Sequence, residues 1–203
     1  MRAAVAGSLL ALLVGLGLSG CSSDVTASEA TTATSDLPTC KESGDGTAAH
    51  SVLLMAQSVP SASWVPCMGT SLPLGWHFLS LNVHDGLSRF WLNSDRDGDR
   101  AIQVRLEKSC DTEGATEIPS DQEGLKRFER VTLTTPRFEG KRYYTFDGGC
   151  ITFIFRLDGE SRGEALALAT QSVDAISRAD LDAQVHDASE GRLSLDPPTD
   201  EEK

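Results

Sequence analysis

The sequence predicts an α+β fold: an antiparallel sheet of about six strands, with N-terminal and C-terminal helices packed on one face. Three observations carry this expectation. Between residues 75 and 157, apolar side chains recur at every second position in several short runs, the period of a strand whose two faces differ. Asp85-Gly86 and Asp147-Gly148-Gly149 are tight-turn signals, and connections that short force neighbouring strands to run antiparallel. On either side of this region the apolar period lengthens to that of a helix.

Taken in order, residues 47–59, "TAAHSVLLMAQSV", contain neither Gly nor Pro and set Val52, Met55, Ala56 and Val59 on one helical face; Pro60 ends the helix. Residues 60–73, "PSASWVPCMGTSLP", are broken by Pro60, Pro66 and Pro73 and read as an extended connection that Cys67 would pin. Strands follow at 75–83, 87–93 and 100–108. In the third, Ile102, Val104 and Leu106 share one face, while Gln103, Arg105 and Glu107 share the other. Residues 109–125 have the Gly, Pro, Ser and Asp content of a long loop. Three more strands are predicted at 128–133, 141–146 and 150–157, the last offering Ile151, Phe153, Phe155 and Leu157 to the core. Leu166, Ala169, Val173 and Ile176 then stand at helical spacing in a helix over 160–177. Ser177, with Asp180 three residues on, caps a second short helix through Leu181 and Val185.

The chain divides into four parts. Residues 1–20 are a signal peptide, 21–39 a polar tether, 40–197 a single disulfide-bonded domain and 198–203 an acidic tail. In the tether, "SSDVTASEATTATSDLP" has only Val25 and Leu37 to bury, too little to offset the entropy of ordering it. Cys40, Cys67, Cys110 and Cys150 are an even set in an exported chain and read as two disulfides, with three connectivities open. Cys40–Cys67 and Cys110–Cys150 are favoured because each pair brackets one region. No CxxC or His-interleaved spacing points to zinc.

The start of the chain, "MRAAVAGSLLALLVGLGLSGC", joins one basic residue to an apolar run too short to span a bilayer, ending in Leu18-Ser19-Gly20-Cys21. Those four residues resemble the lipobox of bacterial lipoprotein precursors. The resemblance implies that processing enzymes of that pathway acylate Cys21 and remove residues 1–20, so that Cys21 anchors the product to a membrane. With Arg2 gone, 17 basic residues face 30 acidic ones, a formal charge of −13. That balance argues against nucleic acid or an anionic lipid surface as a partner. The Gly75-Trp76 opening of the first strand and the closing amphipathic helix are similar in layout to PsbP/Mog1-type sandwiches of some exported lipoproteins, without a diagnostic motif.

Within "NSDRDGDR", Asn93, Asp95, Asp97 and Asp99 alternate with Gly98 in the pattern of half an EF-hand. The second half fails: Val104 stands where the closing Glu belongs, and Arg96 and Arg100 offset the carboxylates. A polar hairpin turn is the expectation, with calcium as the lesser one and no other cofactor indicated. His50, His77, His84 and His186 form no ligand spacing, and neither GxSxG nor SxxK occurs. Trp64, Trp76, Trp91, Tyr143 and Tyr144 cannot all face one core, because strand faces alternate; one left facing solvent would mark a binding surface. The sequence therefore predicts an extracytoplasmic membrane lipoprotein with a non-catalytic domain that binds an envelope protein or a ligand. The alternatives are an extracytoplasmic hydrolase acting on cell-wall or lipid material and a calcium-binding surface protein.

Overall fold

A computed structural model describes residues 31–41, 46–120 and 122–197; Cys21, the signal segment and the acidic tail lie outside them. In chain order the elements are β1 (Thr32–Thr34), α1 (His50–Ser58), β2 (Trp64–Met68), β3 (Trp76–His84), β4 (Leu87–Ser94), β5 (Gly98–Glu107) and β6 (Thr116–Ile118). They continue with β7 (Lys126–Leu133), β8 (Phe138–Phe146), β9 (Gly149–Leu157), α2 (Arg162–Gln171), β10 (Val173–Ser177) and α3 (Arg178–Ala188). The fold is α+β, with an antiparallel sheet of eight strands in the order β1-β3-β4-β5-β9-β8-β7-β6 and a separate ribbon of β10 with β2.

The sheet exceeds the six predicted strands because both of its margins carry three-residue strands too short and too polar to show an alternation. One is Thr32–Thr34, inside the stretch read as tether, which pairs with β3. The other, Thr116–Ile118, lies in the stretch read as loop and pairs with β7. A second correction concerns residues 160–177. The helix ends at Gln171, and Val173–Ser177 instead pair with Trp64–Met68 of the supposed connection, Ile176 opposite Val65. Pro66 is tolerated in β2 because a two-stranded ribbon consists of edges alone.

Register makes one sheet face apolar. Leu81, Phe90, Val104 and Phe153 form one row across β3, β4, β5 and β9, and Leu92, Ile102 and Phe155 form the next. All seven are buried. Full burial of a side chain of this size contributes about 1.5–3 kcal/mol, so these two rows are a large share of the driving force. Val52, Met55, Ala56 and Val59 of the first helical segment are buried as their spacing predicts, and α1 packs against β2, β3 and β4. α2 packs against β9, and Arg142 of β8 reaches it, donating to Thr170 Oγ1 at 3.1 Å while pairing with Glu129 at 2.7 Å. Ser177 Oγ accepts from the Asp180 N–H at 3.0 Å, the cap that starts α3.

Cys40 is bonded to Cys67 and Cys110 to Cys150. Both bridges match the favoured pairing and are consistent with an oxidising compartment. Among the described residues no helix is long and apolar enough to cross a membrane.

Candidate binding surface

The second sheet face decides what the domain can engage. Register places Ser80, Trp91, Gln103, Ile154, Lys141 and Arg130 in one row across β3, β4, β5, β9, β8 and β7. The neighbouring row holds Asn82, Arg89, Arg105, Thr152, Tyr143 and Phe128. Strand alternation requires this: Arg89 and Trp91 flank the buried Phe90 in sequence, so they must point the other way.

Part of this face is covered. Cys150 stands on it, and its bridge to Cys110 draws the segment after β5 across β8 and β9. Beside that segment Tyr143 is only 2% exposed and Thr152 is buried. Arg130 joins cover to sheet, donating to the Glu113 carbonyl and to the Tyr143 hydroxyl at 3.1 Å. Burial pushes the Tyr143 phenol above its usual pKa, a shift that the nearby Arg130 opposes and Asp111 reinforces.

The remainder of the face is open. A groove of about 250 Å³ runs over Trp91, Gln103, Ile154 and Lys141, all half-buried, with Arg100 and Arg156 beside them. Two guanidinium groups sit on the Trp91 indole, Arg89 at 5.4 Å and Arg100 at 5.5 Å from the ring centroid. Each such contact contributes about 0.5–1 kcal/mol at an exposed site, with a geometry that holds the side chain in place. Arg100 adopts a left-handed backbone, φ 54°, at the start of β5, where the β4–β5 pairing shifts register. The kink presents its side chain to the same ring as Arg89.

The other aromatic side chains divide as alternation demands. Trp76 and Tyr144 are buried, Tyr144 edge-on to Phe153 at 5.7 Å, and Trp64 packs against the core from β2. Trp91 is the one of the five that lines the open groove.

At the "NSDRDGDR" turn the oxygens do not converge. Asn93 Oδ1 accepts from the Arg100 N–H at 2.8 Å, and Asp95 Oδ1 lies 3.0 Å from His77 Nε2. Asp97 is buried and accepts from Ser94 Oγ and from the Gly159 N–H, both at 2.8 Å. Asp99 points to solvent. Among the described residues no three His, Cys, Asp or Glu are grouped so as to hold a metal ion. The turn therefore joins the tip of the β4–β5 hairpin to the loop before α2.

Asp95, the partner of His77, lines a second cleft of about 340 Å³ with Trp76, Asp97, Ser161 and Leu168 among others. Both side chains of the His77–Asp95 pair are more than half exposed, and no hydroxyl or thiol among the described residues hydrogen-bonds to the ring. His50, His84 and His186 lie on α1, β3 and α3, apart from this pair in the fold. In comparisons with protein-family models, with curated proteins and with solved structures, none matches the chain.

Sequence reasoning singled out Trp91 but missed Arg89, Arg100, Gln103 and Lys141. Three of the four were legible as outward positions from strand parity alone. Their meeting on one side of Trp91 depends on the pairing of β4 with β5 and of β9 with β8, which the sequence does not display.

Proposed function

We propose that the protein is an extracytoplasmic lipoprotein, anchored to the membrane through Cys21, whose α+β domain is a non-catalytic binding module. The observation that carries the reading is the uncovered row Trp91, Gln103, Ile154 and Lys141, on a sheet face whose neighbouring part is closed by a disulfide-held segment. A half-exposed indole held between two arginines is suited to contact with a ligand or partner. Among the described residues, none of α1, α2 or α3 lines the groove over this row, which supports the reading. The lipobox supports the anchor, and the two disulfides fit the compartment that the anchor implies.

Two measurements test the reading. Replacement of Cys21 by Ser should move the protein from the membrane to the soluble fraction; a variant that stays membrane-bound overturns the anchor. Affinity capture of the native chain from crosslinked envelopes should recover a partner or ligand that Trp91→Ala fails to recover. Equal recovery by both forms overturns the assignment of this face.

A further inference from the structure

We propose that the Trp91 groove recognises an oxyanion, a phosphate group carried by its ligand, through Arg89, Arg100 and Lys141. The inference deepens the reading of this face as a binding surface and rests on it. The chain carries 30 acidic residues against 18 basic ones, so cations here should find carboxylates readily. Two on this face do: Arg105 pairs with Glu107 at 3.6 Å and Arg156 with Glu139 at 3.2 Å, while Arg130 is taken up by the Tyr143 hydroxyl and the Glu113 carbonyl. Arg89, Arg100 and Lys141 have no carboxylate within ion-pair distance among the described residues. Arg89 Nε and Arg105 Nε are both buried and donate to no acceptor there.

Two guanidinium groups on one indole, with Lys141 in the same row, make a local positive field in a strongly acidic molecule; Glu139 also lines the groove, where Arg156 and Arg137 take up its charge. A negative group is drawn to that spot and excluded from most of the remaining surface. The guanidinium fork suits the geometry of phosphate, and fixing it on a ring lowers the entropy lost on binding. Gln103 adds an amide that can donate or accept, and the half-buried Ile154 offers an apolar floor beside it. At about 250 Å³ the groove lies below the usual range for a whole drug-sized ligand, about 300–1,000 Å³, so it takes a headgroup or a small anion. A soluble phosphate ester and an anionic lipid headgroup share this chemistry.

The mature full chain, in nanodiscs of neutral phosphatidylcholine, is titrated with inorganic phosphate and with glycerol 3-phosphate while indole fluorescence is followed. A parallel sample uses nanodiscs containing phosphatidylglycerol. The expected result is a saturable change that Trp91→Phe abolishes and that the Arg89→Gln/Arg100→Gln double variant weakens about tenfold or more. Arg192→Gln, on a remote surface, should leave it intact. A response to the soluble anions assigns a free ligand; a response confined to phosphatidylglycerol assigns the headgroup; both support the proposal. If the double variant fails to melt cooperatively, Lys141→Gln and Arg100→Lys replace it, and a response unaltered in both overturns the proposal. So does silence with all three probes, or equal affinity in the double variant and native chain. A chain that does not join the nanodisc still reports in the soluble titrations, so failure of the anchor is told apart from failure here. If capture of a partner depends on Trp91 yet no oxyanion binds, the module stands and this proposal falls.

Discussion

The Asp97 carboxylate accepts the Gly159 N–H at 2.8 Å, tying the tip of the β4–β5 hairpin to the loop before α2 across 62 residues of sequence. Its other oxygen accepts from Ser94 Oγ, also at 2.8 Å. Asp97→Ala leaves a backbone donor and a hydroxyl unsatisfied near the buried position and should cost about 2–3 kcal/mol in urea unfolding. Because that carboxylate is already committed, melting in calcium and in chelator should coincide. A melting temperature raised by calcium in the native chain and not in Asp97→Ala would refute this account of the turn.

Removal of the Cys110–Cys150 bridge by paired Ser substitutions should destabilise the domain by about 3–4 kcal/mol in the chain-entropy model, the two residues being 40 apart in sequence. The same variant should admit solvent to Tyr143, which the bridged segment covers. Faster exchange of the Tyr143 amide, with the Leu81 and Phe90 amides unchanged, would locate the loosening on that face.

The raised pKa of Tyr143 has a definite sign. The folded state holds the phenolic proton more tightly than the unfolded chain, whose value is near 10.0, so this group leaves stability unaffected below that pH. As pH rises past it, the unfolded chain loses its proton first and stability falls until the folded phenol also ionises. Tyr143→Phe should flatten this alkaline decline relative to the native chain, as followed by urea midpoints across the alkaline range. Arg130→Ala, which removes the cation that opposes the shift, should push the phenol higher still in ultraviolet difference titration.

Gly140 forms part of the groove wall, and a Cβ there would lie 2.5 Å from the Arg130 carbonyl oxygen and 2.6 Å from the Phe155 ring. Gly140→Ala must therefore displace a strand backbone or a buried ring, a strain of about 1–3 kcal/mol. A lowered melting temperature is expected, with a changed Trp91 emission if the β7–β8 pairing moves the groove.

How much was legible in the sequence varies with the range of the interaction that decides each element. In β5 and β9, Ile102, Val104 and Phe153 alternate so strongly that local pattern and final fold agree. Val173 and Ile176 illustrate the opposite case. Their spacing puts them on one face of a helix but on opposite faces of a strand, so the local pattern favours the helix, and what overrides it is pairing with Val65 and Met68, more than a hundred residues earlier. Thr32–Thr34 and Thr116–Ile118 carry no apolar signal and become strands because β3 and β7 offer open edges. The candidate site follows the same rule: Trp91 could be recognised as an outward aromatic, whereas Arg100 reaches its ring through a positive φ and a register shift that no short pattern encodes.

The three-residue strands at the two margins of the sheet have a consequence for how copies of this protein meet. An edge strand is a template on which another chain can extend a hydrogen-bonded ladder, and the tendency grows with its length and flatness. Here each outermost strand has three residues, covering only residues 81–83 of β3 at one margin and 127–129 of β7 at the other, so the strand inside runs on past its cover. Wherever many copies crowd together, each short margin strand therefore blunts the rim only along the three residues it covers.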